Sequence, residues 1–152
     1  MPRFPPAERG LRFFTVEEAN TLVASLELEF ARIAAARAAL GPVVTALGPG
    51  AAVAVLEEGD RGPPGREAEV GRLRGLAGEI TSAIERLNGL GCLVKDLDRG
   101  LVDFYAQRGD ETVFLCWQFG EPAVSHWHRV EDGFGGRRPI EGVTVVPPAF
   151  PN

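Results

Sequence analysis

The hydrophobic period of this chain changes once, and the change falls at Cys92. Before it, apolar residues recur every three or four positions, which draws a stripe along a helix. After it they alternate, which is the pattern of half-buried strands. Helices first and strands afterwards, with a single switch, predict an α+β fold rather than an alternating, parallel-sheet one.

In the first half, Thr15-Val16-Glu17-Glu18 reads as a capping box, in which hydroxyl and carboxylate each satisfy the other residue's backbone N–H. The stripe that follows runs Ala19, Leu22, Leu26, Phe30, Ile33, Leu40, and Gly41-Pro42 is expected to end or kink it. At about 1.5 Å per residue this helix reaches roughly 37 Å. Val43–Leu47 and Ala51–Leu56 are short apolar runs without a clear period, and Gly59–Arg66 reads as a loop. A second helix is expected over Glu67–Asn88, with a seam of Val70, Leu73, Ala77, Ile80, Ile84 and Leu87 and a stop at Asn88-Gly89. Beside that seam lies a row of small residues, Gly71, Gly75, Gly78 and Ser82. It is read either as a close approach of another backbone or as compositional drift. The two helices form a long antiparallel helical hairpin.

The second half divides into four runs, Cys92–Asp98, Leu101–Gln107, Glu111–Phe119 and Ala123–Val130, separated by short turns. Such turns join antiparallel neighbours, so the expectation is a four-stranded antiparallel β-meander. If the later hairpins close through three-residue loops, Gln107 faces Glu111 and Phe119 faces Ala123. Cys116 then stands opposite His126, and Phe114 opposite His128. Alternation puts Val102, Phe104, Phe114, Cys116, His126 and His128 on one face. Asp103, Val113, Leu115, Trp117, Phe119 and Trp127 take the other. Both faces want cover; the hairpin supplies one, and a second copy of the chain is expected on the other, giving a homodimer.

The two imidazoles and the thiol are the sharpest chemical feature, since neutral imidazole and thiolate are common ligands for zinc and related divalent transition metals. His126, His128 and Cys116 are the expected metal ligands, with a carboxylate from Glu121 or Glu18. The alternative is that the histidines sit at a partly buried sheet edge and hydrogen-bond locally. A Cys116–His126 dyad for thiol chemistry uses the same register. Asp96, Asp98 and Asp103 form an acidic group near the first turn; on this register Asp103 lies away from the histidines, capping a turn or meeting the Trp127 indole. The Gly133–Pro139 loop could wrap an anion, which makes Arg137 and Arg138, with Glu121, candidate ligand-binding residues. It is no dinucleotide fingerprint, because Arg138 takes the third glycine position and Pro139 bars a helix.

Composition narrows the classes. Net charge is −5, and Lys95 is the single lysine beside fifteen arginines, a bias of the kind a GC-rich genome gives. No basic patch marks a nucleic-acid binder, and no apolar run of about 18 residues marks a membrane span. Two cysteines make no disulfide framework, and the absence of a signal core argues for the cytoplasm. Residues 1–12 read as a disordered tail, 13–140 as one α+β domain, and 141–152 as an extended C-terminal tail.

Several segments together resemble a bacterial family, the domain of unknown function 2203. They are Phe14–Asn20, Val94-Lys95-Asp96, Gly100–Phe104, Cys116-Trp117, Gly120-Glu121-Pro122, Trp127-His128, Gly133-Phe134, Gly136-Arg137 and Pro139-Ile140. The resemblance spans Phe13–Ile140 and implies no reaction, substrate or cofactor. His128 belongs to its motif and His126 does not, which favours His128 and Glu121; the loop Ala51–Arg66 is longer than its pattern requires. Two functional expectations follow. One is a homodimeric module binding a small ligand or partner. The other is a metal-binding protein, or metal-dependent hydrolase, using His128 with His126, Glu121 or Cys116.

Overall fold

The computed structural model describes residues 12–140. The tails expected at 1–12 and 141–152 lie, Arg12 apart, outside the described residues. Helices Val16–Asn20 (α1), Val23–Leu47 (α2), Pro49–Glu58 (α3) and Glu67–Gly89 (α4) come first. Strands Leu93–Asp96 (β1), Leu101–Arg108 (β2), Glu111–Gln118 (β3), His126–Arg129 (β4) and Arg138–Pro139 (β5) follow. The chain divides into two compact units, Leu28–Arg86 and the segments on either side of it.

The helical unit has three helices rather than the two of a hairpin. Proline removes one backbone donor and crowds the preceding turn, yet α2 runs through Pro42 to Leu47. Burial of Val43 and Leu47 beyond the proline offsets that loss. Gly48, at a φ of +93°, then turns the chain, and Pro49 opens α3 at the first helical position. Ala36, Val43, Leu47, Ala52, Val55, Val70, Leu73 and Leu76 form one core cluster. So the two unassigned runs belong to the end of α2 and to α3. Continuous through Pro42, α2 has a stretch of mean hydropathy 1.3 and is long and apolar enough, by length and composition, to cross a membrane. Stopping the helix at the proline hides that property.

On α4 the buried positions are Val70, Leu73, Leu76, Ala83 and Leu87, with Ala77, Ile80 and Ile84 half-buried. The expected seam is therefore rotated toward Leu76 and Ala83. The small-residue row faces outward: a Cβ at Gly71, Gly75 or Gly78 would meet nothing within 4 Å, so no backbone among the described residues approaches it. Glu29, 6% exposed, holds the same unit by accepting from Arg86 Nε at 2.8 Å and from Arg32 at 3.3 Å.

In the other unit the capping box of α1 forms: Thr15 N–H donates to Glu18 Oε1 at 2.8 Å, and Glu18 N–H to Thr15 Oγ1 at 3.0 Å. The strands make a five-stranded antiparallel sheet in sequential order, the expected meander with one strand more. β5 adds by pairing Arg138 with Trp127 and Pro139 with His126.

The register decides the site. β3 and β4 pair as counted from the sequence, Cys116 with His126 and Phe114 with His128. β2 and β3 do not. Arg108, not Gln107, stands opposite Glu111, because the loop is Gly109-Asp110 alone. Gly109 has a φ of +62°, at the first loop position where a type II′ turn takes glycine. A slip of one residue turns every β2 side chain over. Asp103 therefore joins the face of Phe114, Cys116 and His128. Val102, Phe104 and Ala106 join the face of Val113, Leu115, Trp117 and Trp127. That second face is fully packed, with Phe14 edge-on to Phe104 at 5.0 Å. The first face is buried too: Asp103, Phe114, Cys116 and His128 are each no more than 3% exposed. The bare sheet face that suggested a second copy of the chain is not present among the described residues.

Candidate metal centre

Three adjacent strands each place one ligand-type side chain on the same face of the sheet. Asp103 on β2 stands opposite Cys116 on β3, and His128 on β4 stands opposite Phe114, two residues before Cys116. Their ligand atoms all lie within 4.8 Å of one another, and all three residues are buried. Tetrahedral bonds of about 2.0–2.3 Å place ligand atoms roughly 3.4–3.8 Å apart, so small side-chain adjustments suffice to bring the three onto one ion.

The hydrogen bonds around His128 set its chemistry. Nδ1–H donates to the Arg129 carbonyl at 2.8 Å, which fixes the ring and directs Nε2 inward. Nε2 meets both oxygens of Asp103, at 3.1 and 3.2 Å. Both ring nitrogens thus face acceptors, and without a metal the ring carries two protons. Burial by itself pushes the His128 pKa down. The Asp103 carboxylate, Cys116 and the Arg129 carbonyl more than offset it and hold the ring up at about 10. The pair is a buried imidazolium–carboxylate, which a low-dielectric interior accepts only when matched in charge and hydrogen bonding.

In front of the three residues lies a pocket of about 140 Å³. Leu101, Phe114, Val130 and Phe134 give it apolar walls, and Lys95 stands at it as the cation. A bulge in β1 brings Lys95 there: Val94 pairs with Val102 and Asp96 with Leu101, leaving Lys95 as the extra residue. Its Nζ lies 4.9 Å from the centre of the Phe114 ring. Bulges of this kind re-aim side chains beside sites. The glycine-rich loop supplies Phe134 from a single 3-10 turn, Phe134–Gly136. Gly136 has to be glycine there, since a Cβ would come within 2.5 Å of the Asp132 Cβ.

The other residues singled out from sequence lie elsewhere. His126 is partly exposed, bonded through Nδ1 to Ser125 Oγ at 3.0 Å and 3.6 Å from Glu121 Oε2. Glu121 accepts from Arg137 Nη2 at 2.6 Å and from the Gln118 N–H at 2.7 Å. Arg137 Nη2 also donates to the Cys116 carbonyl at 3.3 Å, so that nitrogen is committed to the fold. Arg138 lies over the Trp127 ring at 5.3 Å. Glu18 closes the helix cap. Asp103 does not meet the Trp127 indole, whose Nε1 has no hydrogen-bond partner among the described residues. Cys92 and Cys116 are both unbridged and buried, and burial pushes the Cys92 thiol up to about 11.

Sequence reasoning therefore found two of the three clustered residues and missed Asp103 as their companion. The signal that finds it is Gly109-Asp110, a glycine-first pair flanked by the opposite charges of Arg108 and Glu111, which favours a two-residue loop.

The comparisons with known proteins agree on extent and add no chemistry. A family model described as "Uncharacterized conserved protein (DUF2203)" matches residues 12–140. No curated protein matches the chain. No solved structure matches it either.

Proposed function

This chain belongs to the DUF2203 family of uncharacterized conserved proteins, and on that footing we propose that it binds a divalent transition metal of the zinc type through Asp103, Cys116 and His128. The observation that carries the proposal is the convergence of a carboxylate, a sulfur and an imidazole nitrogen within 4.8 Å. The mixed oxygen, sulfur and nitrogen set suits zinc and its first-row neighbours better than calcium or magnesium. The Nδ1–H bond to a backbone carbonyl is the usual outer support of a metal-bound histidine.

Charge balance supports the same reading. A metal takes imidazole neutral and sulfur as thiolate. A dication held here would therefore displace the Nε2 proton of His128 and any proton on the sulfur of Cys116. Aspartate and thiolate then neutralise the ion, as aspartate neutralises imidazolium without it. With three protein ligands, a tetrahedral zinc held here would have a fourth position to fill, the donor count of sites where zinc supplies Lewis-acid chemistry. His126, Glu121, Arg137 and Arg138 have no part in this reading. The family segments noted from sequence contain Lys95, Asp103, Cys116, His128 and Phe134, all of which line the pocket.

Elemental analysis of untagged protein, followed by cobalt titration, tests the proposal. About one equivalent of bound metal is expected, with a near-ultraviolet thiolate-to-cobalt band that Cys116→Ser removes. Less than about a tenth of an equivalent, with no such band on adding cobalt, leaves the three residues as a buried ion pair that only holds the strands.

A further inference from the structure

We propose that the pocket in front of the three ligands takes a small carboxylate, bound to the open metal position at one end and to Lys95 at its side. The inference rests on the metal reading above and adds the class of ligand.

Shape sets the size. With about 140 Å³, the pocket has room to enclose a few non-hydrogen atoms. Its walls set the character. Leu101, Phe114, Val130 and Phe134 offer nothing for a polar tail, so they suit a methyl or ethyl group. Lys95 sets the charge. Its ammonium is a point charge on a flexible stem, and it stands at the pocket where every other long cation of the chain is an arginine. The register shift in β1 leaves it unpaired between Val94 and Asp96. Among the described residues, the only carboxylate in the pocket lining is Asp103, which the metal would neutralise.

Phe134 closes the wall. Two guanidinium groups lie against its ring, Arg99 at 4.5 Å and Arg137 at 4.8 Å. Of the two, Arg137 is tied to Glu121 at 2.6 Å. The Arg99 backbone N–H donates to Asp96 Oδ1 at 3.0 Å, fixing the turn that carries the residue.

The test uses the cobalt-loaded full chain and its visible spectrum. Sodium acetate is expected to shift the cobalt bands saturably, and sodium phosphate to leave them unchanged. Lys95→Met is expected to bind cobalt as the parent does and to need at least about tenfold more acetate for half-saturation, the effect of losing one charge-assisted contact. An unshifted spectrum in acetate overturns the proposal. So does an equal response in Lys95→Met, or a response to phosphate instead of acetate. Failure of the parent to bind cobalt overturns the metal reading itself, and the missing thiolate band makes that outcome separately visible.

Discussion

The Asp103 carboxylate grips His128 Nε2 with both oxygens, at 3.1 and 3.2 Å, across the intervening strand β3. Removing the charge while keeping the shape tests that relationship. Asp103→Asn leaves a buried imidazolium without its counter-ion, which destabilises by about 3–5 kcal/mol. Urea unfolding of the chelator-treated variant reads that loss, and cobalt titration should show at least about hundredfold weaker binding.

The same pair makes stability depend on alkaline pH. His128 is raised from 6.5 to about 10 in the fold, against burial and chiefly by Asp103. A raised histidine binds its proton more tightly folded than unfolded. Its contribution is fully present below 6.5 and is lost as pH rises toward 10. The urea midpoint of metal-free protein should fall across that window, and His128→Gln should flatten the fall.

Glu29 gives the opposite sign. Hydrogen bonding from Arg86 holds its carboxyl below the ordinary 4.5, against burial. Its contribution is present above 4.5 and is lost as pH falls below it. Acid unfolding followed by helix circular dichroism should begin at higher pH in Arg86→Met than in the parent protein.

Histidine 126 separates the two readings of the strand pair. It bonds to Ser125 at 3.0 Å and lies 3.6 Å from Glu121, away from the clustered ligands. His126→Ala should leave cobalt affinity within about twofold, whereas His128→Ala should abolish the spectrum. Equal losses in both variants would show that the site includes His126.

Gly100 is constrained twice. Its φ is +70°, and a Cβ there would lie 2.5 Å from the Phe119 Cβ. Its carbonyl also accepts from the Phe119 N–H at 2.9 Å. Gly100→Ala should destabilise by about 1–3 kcal/mol, read as a lower thermal midpoint.

Much of the fold is legible in the residues. The switch of period at Cys92 separates helices from strands, and a helix over Glu67–Asn88 follows from the loop before it and the Asn88-Gly89 stop, one residue short of the observed end at Gly89. The run through Pro42 is not legible, because a proline's local penalty is visible in sequence and the burial that outweighs it is not. Strand β5 is not legible either. Two residues carry no period, and Arg138-Pro139 joins the sheet only because β4 has an open edge.

The candidate site divides the same way. By itself, the sequence placed Cys116 and His128 on one face, by alternation along each strand and a register counted back from Phe119 opposite Ala123, and β3 and β4 keep that register although they end at Gln118 and begin at His126. Only the tertiary structure decided that Asp103 joins them. The reason is the two-residue turn at Gly109-Asp110: one residue fewer in that loop turns β2 over and carries a carboxylate from one side of the sheet to the other.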